Sequence, residues 1–206
     1  MTELARTNTR DIARTAVRAE LAQVAFDLFV REGFENVTIN DLATAAGVSR
    51  STFLRYFGSK EDAVLGAIDA QGDQVANALR ARPADEDDWT ALRRGLDTVI
   101  EPYRQDPANA LATTRLVQET PALCARKLEK QHSWRPALAE ALAERGDAPR
   151  PATLALSVRA AAALDCLNIA LDHWTASDGR LDLVDLLDEA FAALAPAPRR
   201  PSSSSG

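Results

Sequence analysis

The sequence predicts an all-α fold, a small N-terminal three-helix domain followed by a larger helical one, and three observations carry that expectation. Apolar residues recur at helical spacing along nearly the whole chain. Alanine and leucine dominate, and only 9 glycines interrupt 206 residues, so helix is the default state. Three helix-start signals, Thr38, Ser49 and Ser59, crowd into one stretch, which calls for short helices joined by tight turns. No alternating strand pattern and no internal repeat is legible.

Residues 1–11 are polar and lack an apolar period, so they read as a flexible arm, either solvated or in contact with nucleic acid through Arg6 and Arg10. From Ile12 a first amphipathic helix gathers Val17, Leu21, Val24, Ala25, Leu28 and Phe29 on one face and Arg14, Arg18 and Asp27 on the other. Gly33 closes it in a conformation that suits glycine, and Phe34 folds back on its last turn. Thr38 then caps a helix over Ile39–Ala45, with Asp41 placed to reach back to the cap. Ala46-Gly47-Val48 forms the turn, and Ser49 opens a second helix that runs to about Phe57. The pair is a helix-turn-helix. Leu42, Ala45, Val48, Phe53 and Phe57 are its expected core. Ser59 and Asp62 start a connecting helix from Lys60 to about Arg80, with Val64, Ile68, Val75 and Leu79 inward.

Pro83 and the acidic run Asp85-Glu86-Asp87-Asp88 mark a domain junction. The expected organisation is an arm over 1–11, a helix-turn-helix domain over 12–60, a connecting helix over 61–82, a second helical domain over 83–195 and a disordered tail over 196–206. In the second domain Trp89, Leu92, Leu96, Val99 and Tyr103 form one stripe, and Pro107 opens a helix to Thr120. Leu123 to about Arg145 continues, kinked or interrupted at Pro136. Ala152–Thr175 and Leu181–Leu194 are the last two helices. The first of these is apolar nearly all round and must be covered on more than one side.

Composition narrows the function. The net charge of −6 hides an asymmetry: residues 1–60 carry eight basic against seven acidic side chains, a net of +1, and the rest carry 16 against 23, a net of −7. Phosphate contact is local, so placement matters more than the total. Cys124 and Cys166 are too far apart in sequence for a metal pair or a disulfide framework, and His132 and His173 stand alone, so no metal and no cofactor is expected. With no apolar run of 18 residues and no signal core, the chain reads as cytoplasmic and without a membrane partner.

The helix opened by Ser49 exposes Arg50, Ser51, Leu54 and Arg55. A guanidinium there can pair bidentately with guanine in the major groove, and a leucine can meet a thymine methyl. Lys60 sits just after the Ser59 cap, where an ammonium and free helix amides can meet one phosphate.

The run from Thr38 to Ala63, TINDLATAAGVSRSTFLRYFGSKEDA, resembles the signature of TetR-family regulators, and the resemblance extends over roughly residues 12–68. It implies a homodimeric regulator that binds palindromic double-stranded operator DNA, most often as a repressor. It also implies base contacts from Asn40, Arg50, Ser51 and Leu54, and phosphate contacts from Thr38, Thr52, Arg55, Tyr56 and Lys60. Leu54 departs from the aromatic often found at its position. Residues 120–145 resemble the branch described as acyl-CoA-like ligand binding, which includes mycofactocin-associated regulators. That implies a ligand-binding and dimerisation domain and a lipophilic or acyl-CoA-like effector. Trp89, Leu92, Leu96, Tyr103, Leu111 and Trp134 are the expected pocket wall, with Arg115 and Asn168 as polar partners. Asp165, Asn168 and Asp172 share one face, and either meet an effector or form an exposed stripe. An enzyme in the second domain lacks a nucleophile elbow, a close Cys/His pair and a Gly-rich phosphate loop. A regulator acting only through protein contact sits poorly with the intact caps, turn and Lys60.

Overall fold

The computed structural model describes residues 9–66, 68–145 and 151–194, and among them every regular element is helical. In order these are α1 (Thr9–Glu32), a single 3-10 turn (Phe34–Asn36), α2 (Ile39–Ala45), α3 (Arg50–Tyr56), α4 (Lys60–Leu65), α5 (Ile68–Arg80), α6 (Asp88–Gly95), α7 (Asp97–Gln105), α8 (Pro107–Glu119), α9 (Pro121–Glu144), α10 (Leu154–Ala176) and α11 (Leu183–Ala193). Arg6 and the tail expected over 196–206 lie outside the described residues.

The chain forms two compact units. One comprises the residues up to Ala70 together with Ala112–Lys130, and the other Gln71–Leu111 together with the residues from Gln131. The organisation expected from the sequence instead places a junction at residue 83. Segment 112–130 joins the first unit because Val117 and Leu123 bury themselves in a core with Leu28, Phe29, Leu42, Phe53, Phe57 and Leu65. Gly33, at φ 83°, turns the chain after α1 so that Phe34 packs on Phe29, ring centroids 4.8 Å apart. Ala45, expected in the core, is exposed, and Ala43 is buried in its place. Val17 is 41% exposed.

The expected continuous helix from Lys60 to Arg80 is interrupted. α4 ends at Leu65, Gly66 caps it, and α5 restarts at Ile68. Beside Gly66 the Arg18 guanidinium lies where a side chain at position 66 would stand. The opposite departure occurs in α9, which runs unbroken through Pro136. A proline there costs a helix about 3 kcal/mol. The burial of Trp134, Leu138 and Leu142 on the same helix offsets that cost. The stripe from Trp89 to Tyr103 is two helices, parted at Leu96.

In the second unit α10 is the central element and packs on α11 and α6. It is long and apolar enough on average to cross a bilayer, although Arg159, Asp165 and Asp172 interrupt any continuous apolar run. The composition has another explanation, since Leu156, Leu164, Leu167, Leu171 and Trp174 are buried within this unit. The acidic run before α6, read from the sequence as a domain junction, is held by ion pairs. Arg82 donates to Glu86 at 2.7 and 2.9 Å, and Arg159 donates to Asp88 at 2.7 Å. Arg145, its side chain only 3% exposed, meets Asp88 at 3.4 Å and donates to the carbonyls of Pro83 and Glu86 at 2.8 Å. The Arg82 hydrogen bonds hold the Glu86 carboxyl below its ordinary range against the opposing effect of burial.

Gly72 on α5 provides a sharp test of this packing. A methyl group there would come within 2.5 Å of the Trp134 indole on α9. In an open helix Gly→Ala stabilises by roughly 0.5–1 kcal/mol. Here we expect Gly72→Ala to destabilise by about 1–3 kcal/mol through overpacking, measured by urea unfolding. A stabilised variant would show that the indole is not packed on Gly72.

Candidate nucleic-acid interface

Three helices of seven, seven and six residues follow one another from Ile39, and each is closed by a side chain at its start. Thr38 and Asp41 form a reciprocal capping box. The Thr38 hydroxyl accepts from the Asp41 amide at 3.3 Å, while the Asp41 carboxylate accepts from the Thr38 amide at 2.9 Å and its hydroxyl at 2.7 Å. Those hydrogen bonds, the hydroxyl's first, draw the Asp41 carboxyl below its ordinary range. Ser49 accepts from the Thr52 amide, and Ser59 from the Asp62 amide, each at 3.1 Å. Gly47, at φ 65°, supplies the left-handed turn between α2 and α3.

The buried face of α3 is Phe53, which is 0% exposed, and Phe57 follows it into the core with ring centroids 5.1 Å apart. Arg50, Ser51 and Arg55 are therefore exposed, and Leu54 is half-buried. The Arg50 guanidinium donates to the Asn40 amide oxygen at 3.2 Å, so two of the expected base readers, ten residues apart, touch each other. Their sequence spacing gave no sign of this contact. Ser49 Oγ stands 3.0 Å from Ser51 Oγ and donates to Thr52 Oγ1 at 2.9 Å. The Arg55 guanidinium lies 5.8 Å from the Tyr56 ring centroid.

Lys60 is engaged within the protein. Its ammonium donates to the carbonyls of Phe34 at 2.9 Å and Val37 at 3.4 Å, and lies 4.2 Å from the Phe34 ring centroid. It ties the start of α4 to the turn after α1, which leaves one N–H for any further acceptor. On the next turn of α4, Asp62 Oδ1 is buried, has no hydrogen bond, and faces the Lys130 ammonium of α9 at 3.1 Å, with Arg126 at 3.8 Å.

The residues expected to wall one pocket fall into separate settings. Trp89 donates through its indole to the Phe191 carbonyl at 2.9 Å and packs on that ring at 4.4 Å, beside a cleft of about 560 Å³ that it shares with Arg93, Arg94, Arg104 and Asp188. Tyr103 meets the edge of Trp174 at 5.5 Å and lines a cleft of about 280 Å³ with Ile100, Pro107 and Leu183. Leu111 is half-buried near Gly179, and Leu92, Leu96 and Trp134 are buried. Arg115 belongs to the first unit, whereas the other seven belong to the second. α8 carries it past the division after Leu111, which helical spacing alone did not reveal. Of the polar stripe on α10, Asp165 and Asp172 are exposed, and Asn168 holds a buried Oδ1 with no hydrogen-bond partner. Burial raises the Cys166 thiol away from the thiolate, with Asp165 as a second cause, so it is poorly suited to act as a nucleophile.

Known proteins resemble the chain in both halves. The family model described as bacterial regulatory proteins, tetR family, matches residues 21–65, and that of the MftR C-terminal domain matches residues 86–198. The transcriptional regulator TcmR of Streptomyces glaucescens is 34% identical over 142 residues, which cover 66% of this chain and 62% of TcmR. The chain thus spans less than two thirds of that relative's length. A Mycobacterium tuberculosis protein named as the mycofactocin biosynthesis regulator MftR is 26% identical over 181 residues, covering 86% of this chain and 89% of its own. Among solved structures, Thermus thermophilus FadR, a repressor in complex with lauroyl-CoA, aligns with a TM-score of 0.52 at 21% identity, covering 89% of this chain and 98% of that one. At that identity the likeness establishes the fold.

The capping box generates a pH test. Because the Asp41 carboxyl titrates below its unfolded value, its contribution is fully present above the ordinary carboxylate range and is lost as pH falls through that range toward the folded value. Wild type should therefore exceed Asp41→Asn in stability at pH 7, and the gap should close as pH falls below about 4. A gap that is constant from pH 7 to pH 3, followed by circular dichroism on urea unfolding, would contradict the box.

Proposed function

The chain belongs to the TetR family of bacterial regulatory proteins, with an MftR-type C-terminal domain, and from that premise we propose a repressor that binds a palindromic operator as a homodimer and is released by an acyl-CoA-like effector. Family membership already makes it a DNA-binding transcriptional regulator rather than an enzyme. The observation that supports the reading best is the Arg50–Asn40 hydrogen bond at the exposed start of the capped helix α3. It orients the guanidinium while leaving its remaining N–H groups for the N7 and O6 of a guanine. Ser51 and Leu54 complete the base-reading set. Thr38, Thr52, Arg55 and Tyr56 hold the flanking phosphates, and Lys60 offers its one remaining N–H there.

A single helix-turn-helix reads one half-site, so a specific site of useful length calls for two copies. α10 and α11 bear Leu154, 83% exposed, Val158, 57%, Ile169, 53%, and, just beyond α11, Leu194, 58%. Side chains of that kind in a chain of this composition favour a two-fold, self-complementary contact. The effector reading is supported by the MftR-type domain, by the lauroyl-CoA bound to the similarly folded FadR, and by the unsatisfied Asn168 Oδ1, an acceptor that a ligand N–H or hydroxyl would satisfy.

The test is fluorescence anisotropy on DNA flanking the chain's own gene against a random duplex of equal length. We expect a specific, salt-sensitive complex, from which Arg50→Ala removes about 1–3 kcal/mol at particular base pairs and relaxes preference there. Equal loss on both duplexes would remove the base-reading role. Sedimentation at micromolar concentration should show a dimer, and a monomer would overturn the two-fold reading. In calorimetry with acyl-CoAs, operator DNA should weaken effector binding by the factor by which effector weakens DNA binding. Absence of binding by every chain length would end the effector assignment alone.

A further inference from the structure

In an acidic chain the arginines that carry no carboxylate partner are informative, because each leaves an uncompensated field at the surface. From Arg80 to Arg104 every arginine is ion-paired: Arg80 with Glu144, Arg82 and Arg94 with Glu86, Arg93 with Asp97 and Asp188, and Arg104 with Glu101. In α1 and α3 the pattern is mixed, for Arg31 pairs with Glu32 at 3.0 Å while other arginines do not pair. Arg14, Arg50 and Arg55 are exposed and form no ion pair among the described residues. Arg50 is held by Asn40. Arg14 and Arg55 instead face a common cleft of about 430 Å³ on the first unit, whose other lining residues are Ala13, Val17 and Tyr56.

That cleft has a definite chemistry. Two guanidinium groups and a phenol are the polar side chains lining it, its floor is apolar, and no carboxylate lines it. Guanidinium groups are the preferred partners of phosphate oxygens, and a tyrosine hydroxyl adds one neutral donor. Arg55 and Tyr56 are the last residues of the helix whose first residue, Arg50, is assigned to bases. About 1.5 Å of rise per residue sets the cleft some 8–9 Å along α3 from Arg50, within reach of the backbone that borders the groove rather than the bases inside it.

We propose that Arg14 of α1 joins Arg55 and Tyr56 of α3 in one phosphodiester-binding cleft, so that the DNA backbone is gripped from α1 as well as from the helix-turn-helix. The assignment rests on the DNA-binding reading above and adds to it a contact from α1. Arg14 sets no base preference. It contributes one neutralised phosphate to affinity for any duplex and fixes the angle at which α3 enters the groove.

The experiment is Arg14→Gln in the full-length protein, titrated by anisotropy onto the gene-flanking duplex and the random duplex across 50–300 mM salt. Arg14 is exposed, so folding should be preserved, and circular dichroism checks it. We expect affinity to fall several-fold and by the same factor on both duplexes, the magnitude of the log–log salt slope to drop by about 0.9, and the ranking of base-pair variants to stay unchanged. Arg14→Lys, which keeps the charge, should restore the slope, and Arg104→Gln should leave both affinities unaltered. Unchanged affinity and slope in Arg14→Gln, or a loss confined to the specific duplex, would overturn the cleft. If wild type binds neither duplex, the DNA-binding reading fails with it. If Arg50→Ala shows its base-specific loss while Arg14→Gln does nothing, only the cleft falls.

Discussion

Helices of six or seven residues have no independent stability in water, because nucleation costs more than so few backbone hydrogen bonds return. α2, α3 and α4 all lie below that limit, so the recognition surface exists only while something outside each helix holds it. Side-chain caps and one buried layer supply the hold. Thr38, Ser49 and Ser59 satisfy amides that the short helices cannot satisfy internally. Leu42 and Phe53, both 0% exposed, then fix α2 and α3 on the first helix. Everything assigned to DNA stands on the face these two leave outside, including the Arg50–Asn40 contact and the α1–α3 cleft.

Each of those determinants is local in sequence, which is why so much of this half was legible. A cap and its partner lie three residues apart, a turn glycine sits where its φ is needed, and Phe53 and Phe57 follow helical spacing. What escaped were contacts between residues distant in sequence. Lys60 has the sequence context of a phosphate ligand, yet its ammonium finds the carbonyls of Phe34 and Val37 more than twenty residues earlier. Arg18 was legible as a polar-face residue of the first helix, but not as the group that occupies the space beside Gly66.

The second unit shows the same division with a different balance. Its helices were readable from apolar periodicity, because α10 and α11 bury leucines at regular intervals. The acidic run before α6 reads in sequence as a junction, and nothing local in sequence shows which groups its carboxylates meet. Arg145, nearly fully buried, could not be left uncompensated, and its pairing with Asp88 and with two carbonyls makes a fixed corner of that run. The residues expected to wall a pocket show a related gap. Helical spacing tells which residues face inward but not which interior they face, and Trp89, Tyr103 and Trp134 face three different neighbours.

α4 ends at Leu65 and lies wholly within the first unit. Its carboxylate Asp62 is held there by charge, facing Lys130 at 3.1 Å and Arg126 at 3.8 Å on α9. Lys130 is 8% exposed, so separating the pair would strand a charge in a poorly solvated place. α4 therefore tends to follow the first half of α9 rather than part from it, and its cap, Ser59, is only two residues beyond Phe57, where α3 ends. The first half of α9 is thus joined to α3 by one ion pair and a two-residue link. Coupling between an effector and DNA is limited by the free energy that such contacts can sustain in one arrangement and not in the other.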